Sequence, residues 1–365
     1  MLKKQATEKE LSLSDLRPGD ILTFIGENTL LDNLIMRLTN HSDVSHGALY
    51  VQKDDENWIL ADAGQNGIHA HVLSQNFEDV NPDLGDEIRE IYVSRHNSAG
   101  TAGVLPVVNI AKDYVFQDLP YPYSDLLLLG MILIYKNVTD VSLKHNVVVE
   151  FLRVLTAEVK TWIDAHRKDP AHTMVCSSYV YQCYLDASKE TPKLKLNVVH
   201  GDAAPDTLPL NTLLDAYESF VNGETAYWRM NYKPEPSLLQ TNNRPILEVV
   251  ADLLNEESQS NVVMLPKLDL FCAMEDFLKV LMELLGKCAK SVDELIANAR
   301  EQQAMFVTPN DLRYNTKNVK YLGKMKIVRK GDNYDPNLKR EHLGLPFQPK
   351  ACGMEAWGME TLWGT

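Results

Sequence analysis

The first hundred positions alternate between apolar and polar residues in short runs separated by turn residues. Such runs at 21–24, 46–51, 58–61, 68–72 and 87–93 predict strands, with 46–72 as an antiparallel meander. Ser14-Asp-Leu-Arg-Pro18-Gly-Asp20 reads as a helical turn that Pro-Gly stops before the first strand. Thr29 is placed to cap a helix with Leu30, Leu31, Leu34 and Ile35 on one face. From residue 104 the period lengthens to that of helices. Segments 104–114, 124–135 and 145–165 are expected to be helical, the last with Val148, Phe151, Leu152, Leu155, Val159 and Trp162 in one stripe. Another apolar helix follows Met174 and carries Val180, Cys183 and Tyr184.

Beyond residue 190 the pattern changes. Pro192, Pro205 and Pro209 break the stretch to 209, and helices are expected at 211–220, 245–255, 268–288 and 291–305. Ser291-Val-Asp-Glu294 has the spacing of a capping box. Residues 190–300 therefore read as a largely helical insertion after a core of 1–189. The chain returns to the sheet near Phe306 within 301–330, and an irregular tail fills 331–365. The class expected is α+β, a small antiparallel sheet packed on helices.

Composition narrows the partners. Of the 365 residues 45% are hydrophobic, ample for a packed core, and the net charge is −14. An acidic chain lacks the basic face that nucleic acid requires. Five cysteines without framework spacing suit a reducing compartment. The longest apolar run, 126–135, is far shorter than the roughly 20 residues that span a bilayer. No positive and then apolar leader opens the chain. A cytoplasmic protein is expected, or one exported without a standard signal peptide.

The chemistry centres on Cys176, in the first turn of the helix that follows Met174. A helix start stabilises a thiolate through its dipole and its free N–H groups, and those N–H groups can also receive an oxyanion. Ser177 shares that turn. A thiolate needs a base, and His46 stands at the head of the strand Ala48–Val51. His41 is the competing base, less favoured because it does not lead into the strand. Asp62 ends the next strand, where it can fix the tautomer of His46 and support its cation. No G-x-S-x-G elbow supports a serine nucleophile.

Leu16-Arg-Pro-Gly-Asp-Ile-Leu22, Ser45-His-Gly47, Asp62-Ala63 and Cys176-Ser177, in that order, resemble the circularly permuted papain-like hydrolases of the NlpC superfamily, above all the YiiX-like branch. Val307-Thr-Pro-Asn-Asp-Leu312 and Val319-Lys-Tyr-Leu-Gly323 are similar to that family's closing segment. The resemblance implies a permuted papain-like fold with a Cys176 nucleophile, a His46 base and an Asp62 orienter. It departs from the family in two places. Asp62 stands where Glu is commoner, and Leu119-Pro-Tyr-Pro-Tyr123 lacks the glycine of a Gly-x-Pro-Tyr loop.

The expected activity is hydrolysis of an amide or ester through an acyl-enzyme, on a peptide, amide or acyl-lipid substrate and without a cofactor. Two alternatives stay open: a lipid acyltransferase or lipase at a membrane surface, and a non-catalytic protein that keeps the fold. Arg313, Lys317, Lys320, Lys324 and Lys326 belong to a stretch without acidic residues. It reads either as a solvated, lysine-protected strand edge or as a patch for an anionic membrane. His69 and His71 alternate on one strand. Without a third ligand they read as an exposed strand face rather than a metal site. Cys183, Cys272 and Cys288 read as core.

Overall fold

In the computed structural model the strands β1 (Ile21–Ile25), β2 (Val44–Asp54), β3 (Asn57–Gly64), β4 (Gly67–Ser74), β5 (Glu87–His96) and β6 (Val319–Arg329) form one antiparallel sheet. It closes into a barrel in the order β1-β2-β3-β4-β6-β5. The structure describes residues 9–27, 29–39, 42–54, 57–64, 67–98, 103–116, 127–130, 132, 145–166, 174–199, 248, 267–287 and 289–330. The helix expected at 211–220, most of those at 124–135 and 245–255, and His41, Cys288 and the tail from 331 lie outside them.

Alternation along the strands sends side chains to two faces. Leu22, Phe24, Ala48, Tyr50, Leu60, Ile91, Val93 and Ile327 form one buried cluster. Their neighbours Ile21, Leu49, Val51, Ile59 and Ala61 belong to a second, shared with helices α2 (Leu105–Phe116) and α4 (Cys176–Glu190). Closure matters for the site because β6, from the far end of the chain, pairs along its length with β5 and reaches β4 through Leu73↔Arg329 and Ser74↔Val328. The chain was expected back in the sheet near Phe306. It rejoins only at Val319, after a short turn at Gln303–Phe306 and a single π-type turn at Asp311–Asn315.

A third cluster joins helices α3 (His145–His166), α5 (Lys267–Leu284) and α6 (Val292–Glu301) with Leu34 and Ile35 of α1 (Leu30–Leu38) and with Met305 and Phe306. It includes Val175 and Cys176, so the start of α4 lies where the helical cluster meets the barrel. Lys160 and Glu283 tie α3 to α5 at 2.8 Å. The segment after α4 and the return to β6 lie side by side. Val199 donates its N–H to the carbonyl of Asn315 at 2.7 Å, and Lys317 to that of Asn197 at 2.9 Å. Among the described residues no helix is long and apolar enough to cross a membrane.

The caps follow the sequence. Thr29 Oγ1 accepts from the Asp32 N–H at 3.1 Å, and Ser291 Oγ from the Glu294 N–H at 3.1 Å. The return half of the Ser291 box is displaced by one residue, because the Glu294 carboxylate accepts from Lys290 rather than from Ser291.

The Pro-Gly-Asp stretch is architectural. Gly19 has φ +86°, and a Cβ there would meet the Val104 side chain at 3.0 Å. Its carbonyl accepts from the Tyr184 hydroxyl of α4 at 2.6 Å. Buried Asp20 accepts from the Arg17 N–H at 2.8 Å and from Arg95 Nε and Nη2 at 2.7 Å each. Burial pushes the Asp20 pKa up despite that ion pair.

Candidate active site

The start of α4 is set by its own side chains. Val175 is extended, with φ −85° and ψ 161°, and Cys176 opens the helix. Ser178 Oγ accepts from the Val175 N–H at 2.8 Å and donates to the Val175 carbonyl at 2.9 Å. The N–H groups of Cys176 and Ser177 have no carbonyl one turn earlier within the helix, as in any first turn. Cys176 is 3% exposed, at the edge of the apolar cluster.

Gly47 brings this helix start to the histidine strand. A Cβ on Gly47 would sit 3.0 Å from Leu312 Cδ1 and 3.6 Å from the Cα of Ser177. Absence of a side chain there lets the backbones of β2 and α4 approach beside His46. Ser177 is locked as well. Its hydroxyl is fully buried and donates to the Val307 carbonyl at 2.6 Å, which ties α4 to the segment before β6. Of the Ser177 donors only the backbone N–H is therefore available to an oxyanion, and the hydroxyl has a structural duty.

His46 pairs with Phe24 of β1, whose ring it meets edge-on at 5.3 Å. Its Nε2 lies 2.9 Å from Asp62 Oδ2. That leaves Nδ1 for the Cys176 sulfur, with which the ring also hydrogen-bonds. Burial alone would lower the His46 pKa. The charge of Cys176, followed by the hydrogen bond to Asp62, raises it instead to about 10. The pair register explains the meeting. Asp62 faces Ala48, so it stands one same-face position along from His46 on the neighbouring strand.

Asp62 has further partners. Its Oδ1 lies 3.2 Å from His71 Nε2, and Arg329 Nη2 stands 2.9 Å from the same His71 nitrogen and 3.7 Å from Asp62 Oδ2. Asp62 and His71 are both nearly inaccessible. Burial pushes the Asp62 pKa up, but Arg329, then His71, and the hydrogen bond from His46 hold it well below the ordinary carboxylate range. This corrects the reading of His71 as part of an exposed strand face. The cause is barrel closure: His71 pairs with Leu60, a member of the cluster that the closed sheet buries, and β6 joins β4 just beyond it. Arg329 carried no local signal, being 258 residues from His71 in sequence.

The remaining candidates fall elsewhere. Cys183 is fully buried on α4, its thiol pKa pushed up by burial, and Cys272 is half-buried on α5. Among the described residues no group of three or more His, Cys, Asp or Glu side chains is arranged to hold a metal ion. Arg313 lies over the rings of Tyr321, Tyr92 and Tyr314 at 3.8, 4.3 and 4.7 Å. Two of those tyrosines donate to the Asp43 carboxylate at 2.5 Å, which anchors the approach to β2. Lys324 is half-buried beside the Lys9–Leu11 segment, while Lys317, Lys320 and Lys326 are exposed. Compared with models of protein families and with curated proteins, the chain matches none.

Proposed function

We propose that the chain is a cysteine hydrolase of circularly permuted papain-like design, with Cys176 as nucleophile, His46 as acid and base, and Asp62 as orienter. The observation that carries the reading is one imidazole set between a thiol in the first turn of a helix and a buried carboxylate. The chain order also supports it, with histidine and carboxylate on adjacent strands ahead of the cysteine helix.

The chemistry balances with these groups alone. The Cys176 thiolate attacks the carbonyl carbon, a C–S bond forms, and the carbonyl π pair moves onto oxygen. The first-turn N–H groups of Cys176 and Ser177 hold that oxyanion. Collapse expels the amine or alkoxide, which takes the proton from the His46 imidazolium. The His46 pKa is raised first by the charge of Cys176, and that charge vanishes when the thiolate becomes a thioester. Burial then acts with less opposition, and the ring gives up its proton at the step that needs it. Water attacks the thioester as His46 takes its proton, and the second collapse releases a carboxylic acid and restores the thiolate–imidazolium pair.

A second reading, acyl transfer from a lipid, draws support from one observation. Cys176 belongs to the same apolar cluster as Leu34, Ile35 and Phe306, a setting suited to an acyl chain. Intact-mass analysis after brief exposure to peptide amides, or to short-chain phospholipids, tests both. An acyl adduct on wild type that Cys176→Ala abolishes supports the thiol mechanism, and the donor that forms it selects between the readings. An adduct that persists in Cys176→Ala would overturn both, as would no adduct from either donor.

A further inference from the structure

We propose that His71 and Arg329 are positioning residues that hold the Asp62 carboxylate against His46, an inference that rests on the Cys176–His46–Asp62 reading. Asp62 spends one oxygen on His46, at 2.9 Å, and turns the other to His71, at 3.2 Å. The carboxylate is 4% exposed and His71 is 3% exposed. A buried charge without partners is strongly disfavoured, so whatever lies behind Asp62 decides both its charge and its direction.

The three partners come from three different strands. His46 is on β2, His71 on β4, and Arg329 ends β6 at the point where that strand closes the barrel on β4. Arg329 carries N–H groups only, so at 2.9 Å its Nη2 donates to His71 Nε2. The same nitrogen can donate to Asp62 Oδ1 only in the other tautomer. It cannot do both at once. The constant partner of the carboxylate is therefore the guanidinium charge, with His71 as the spacer that fixes its place. Other charged or titratable groups lie within electrostatic reach of this cluster. His69 lies opposite Asp62 in register, Tyr179 and Cys176 come from α4, and Glu87 of β5 stands 3.9 Å behind Arg329. None of these places a second permanent cation on Asp62.

The ranking that follows is testable. Removing Arg329 should cost more than removing His71, and lysine at 329 should restore part of the loss. The readout is the rate of Cys176 carboxamidomethylation against pH in the full-length protein, for wild type, R329M, R329K, H71F and H46A. With Arg329 gone, burial of Asp62 acts unopposed by that charge. The carboxylate should then take up a proton at a higher pH, and its support of His46 should fail earlier on acidification. In R329M the acid-side fall in rate should move up by about one pH unit or more. R329K should lie between R329M and wild type, and H71F should shift less. A purely structural role would lower the melting temperature without moving that midpoint. A folded R329M with the wild-type profile overturns the proposal. Should R329M fail to fold, the 13C carboxyl titration of Asp62 in R329K and H71F carries the test. An upward move in either supports the proposal, and wild-type titration in both overturns it. A flat response to H46A overturns the triad reading instead, while the carboxyl titration still decides the positioning.

Discussion

At single residues, the proposed chemistry turns on how one histidine holds its proton. The His46 pKa is raised to about 10 chiefly by the charge of Cys176 acting against burial. Removing that charge should let burial pull the value down. In an NMR titration, His46 of wild type should titrate near pH 10 and His46 of Cys176→Ala clearly lower. Equal values would mean that thiol and imidazole do not form an ion pair. His46 and Cys176 were legible in the sequence, because a strand head and a helix start each leave a local signature. Asp62 was legible because its strand follows directly. His71 was visible only as one half of an alternating pair. Its meaning depends on Arg329, which no local pattern connects to it.

Among elements, the approach of β2 to α4 is the critical contact, and it rests on Gly47 and Ser177. Gly47→Ala would press a methyl group to 3.0 Å from Leu312. It should cost about 1–3 kcal/mol in urea unfolding and slow Cys176 alkylation by displacing the helix start. A variant as stable and as reactive as wild type would remove the packing argument. Ser177→Ala leaves the Val307 carbonyl without its 2.6 Å partner and should cost about 1–3 kcal/mol, read as a lower urea midpoint. The Ser-His-Gly and Cys-Ser pairs were readable as motifs. Their physical content, a glycine for close approach and a serine as a strut, lies in contacts between distant segments. The Pro-Gly-Asp stretch carries much of the resemblance, yet its groups bond Arg95, Tyr50 and Tyr184 rather than Cys176, His46 or Asp62.

Across the whole molecule, the thiol sits where two bodies of structure meet. The barrel supplies His46, Asp62, His71 and Arg329, and the helical cluster of α3, α5 and α6 includes Cys176 itself. Leu278, fully buried on α5, belongs to that cluster. Leu278→Ala should cost about 2–5 kcal/mol in chemical unfolding. A change under about 1 kcal/mol would mean that α5 is only loosely seated on α3. Strand periods foreshadowed the barrel's first five members, because each carries its own alternation. Closure was not legible. It depends on β6 pairing with strands more than 200 positions earlier, and a pattern read locally has no access to such a partner.

The proposed chemistry makes Cys176 a nucleophile activated by His46 and Asp62. Peptide mapping of iodoacetamide labelling near neutral pH tests it most directly, run on the full-length wild type, His46→Ala and Asp62→Asn. The account predicts that Cys176 is modified before the other four cysteines, and that both substitutions slow it, with His46→Ala the more severe. Earlier labelling of Cys272, or a Cys176 rate indifferent to His46→Ala, would contradict it.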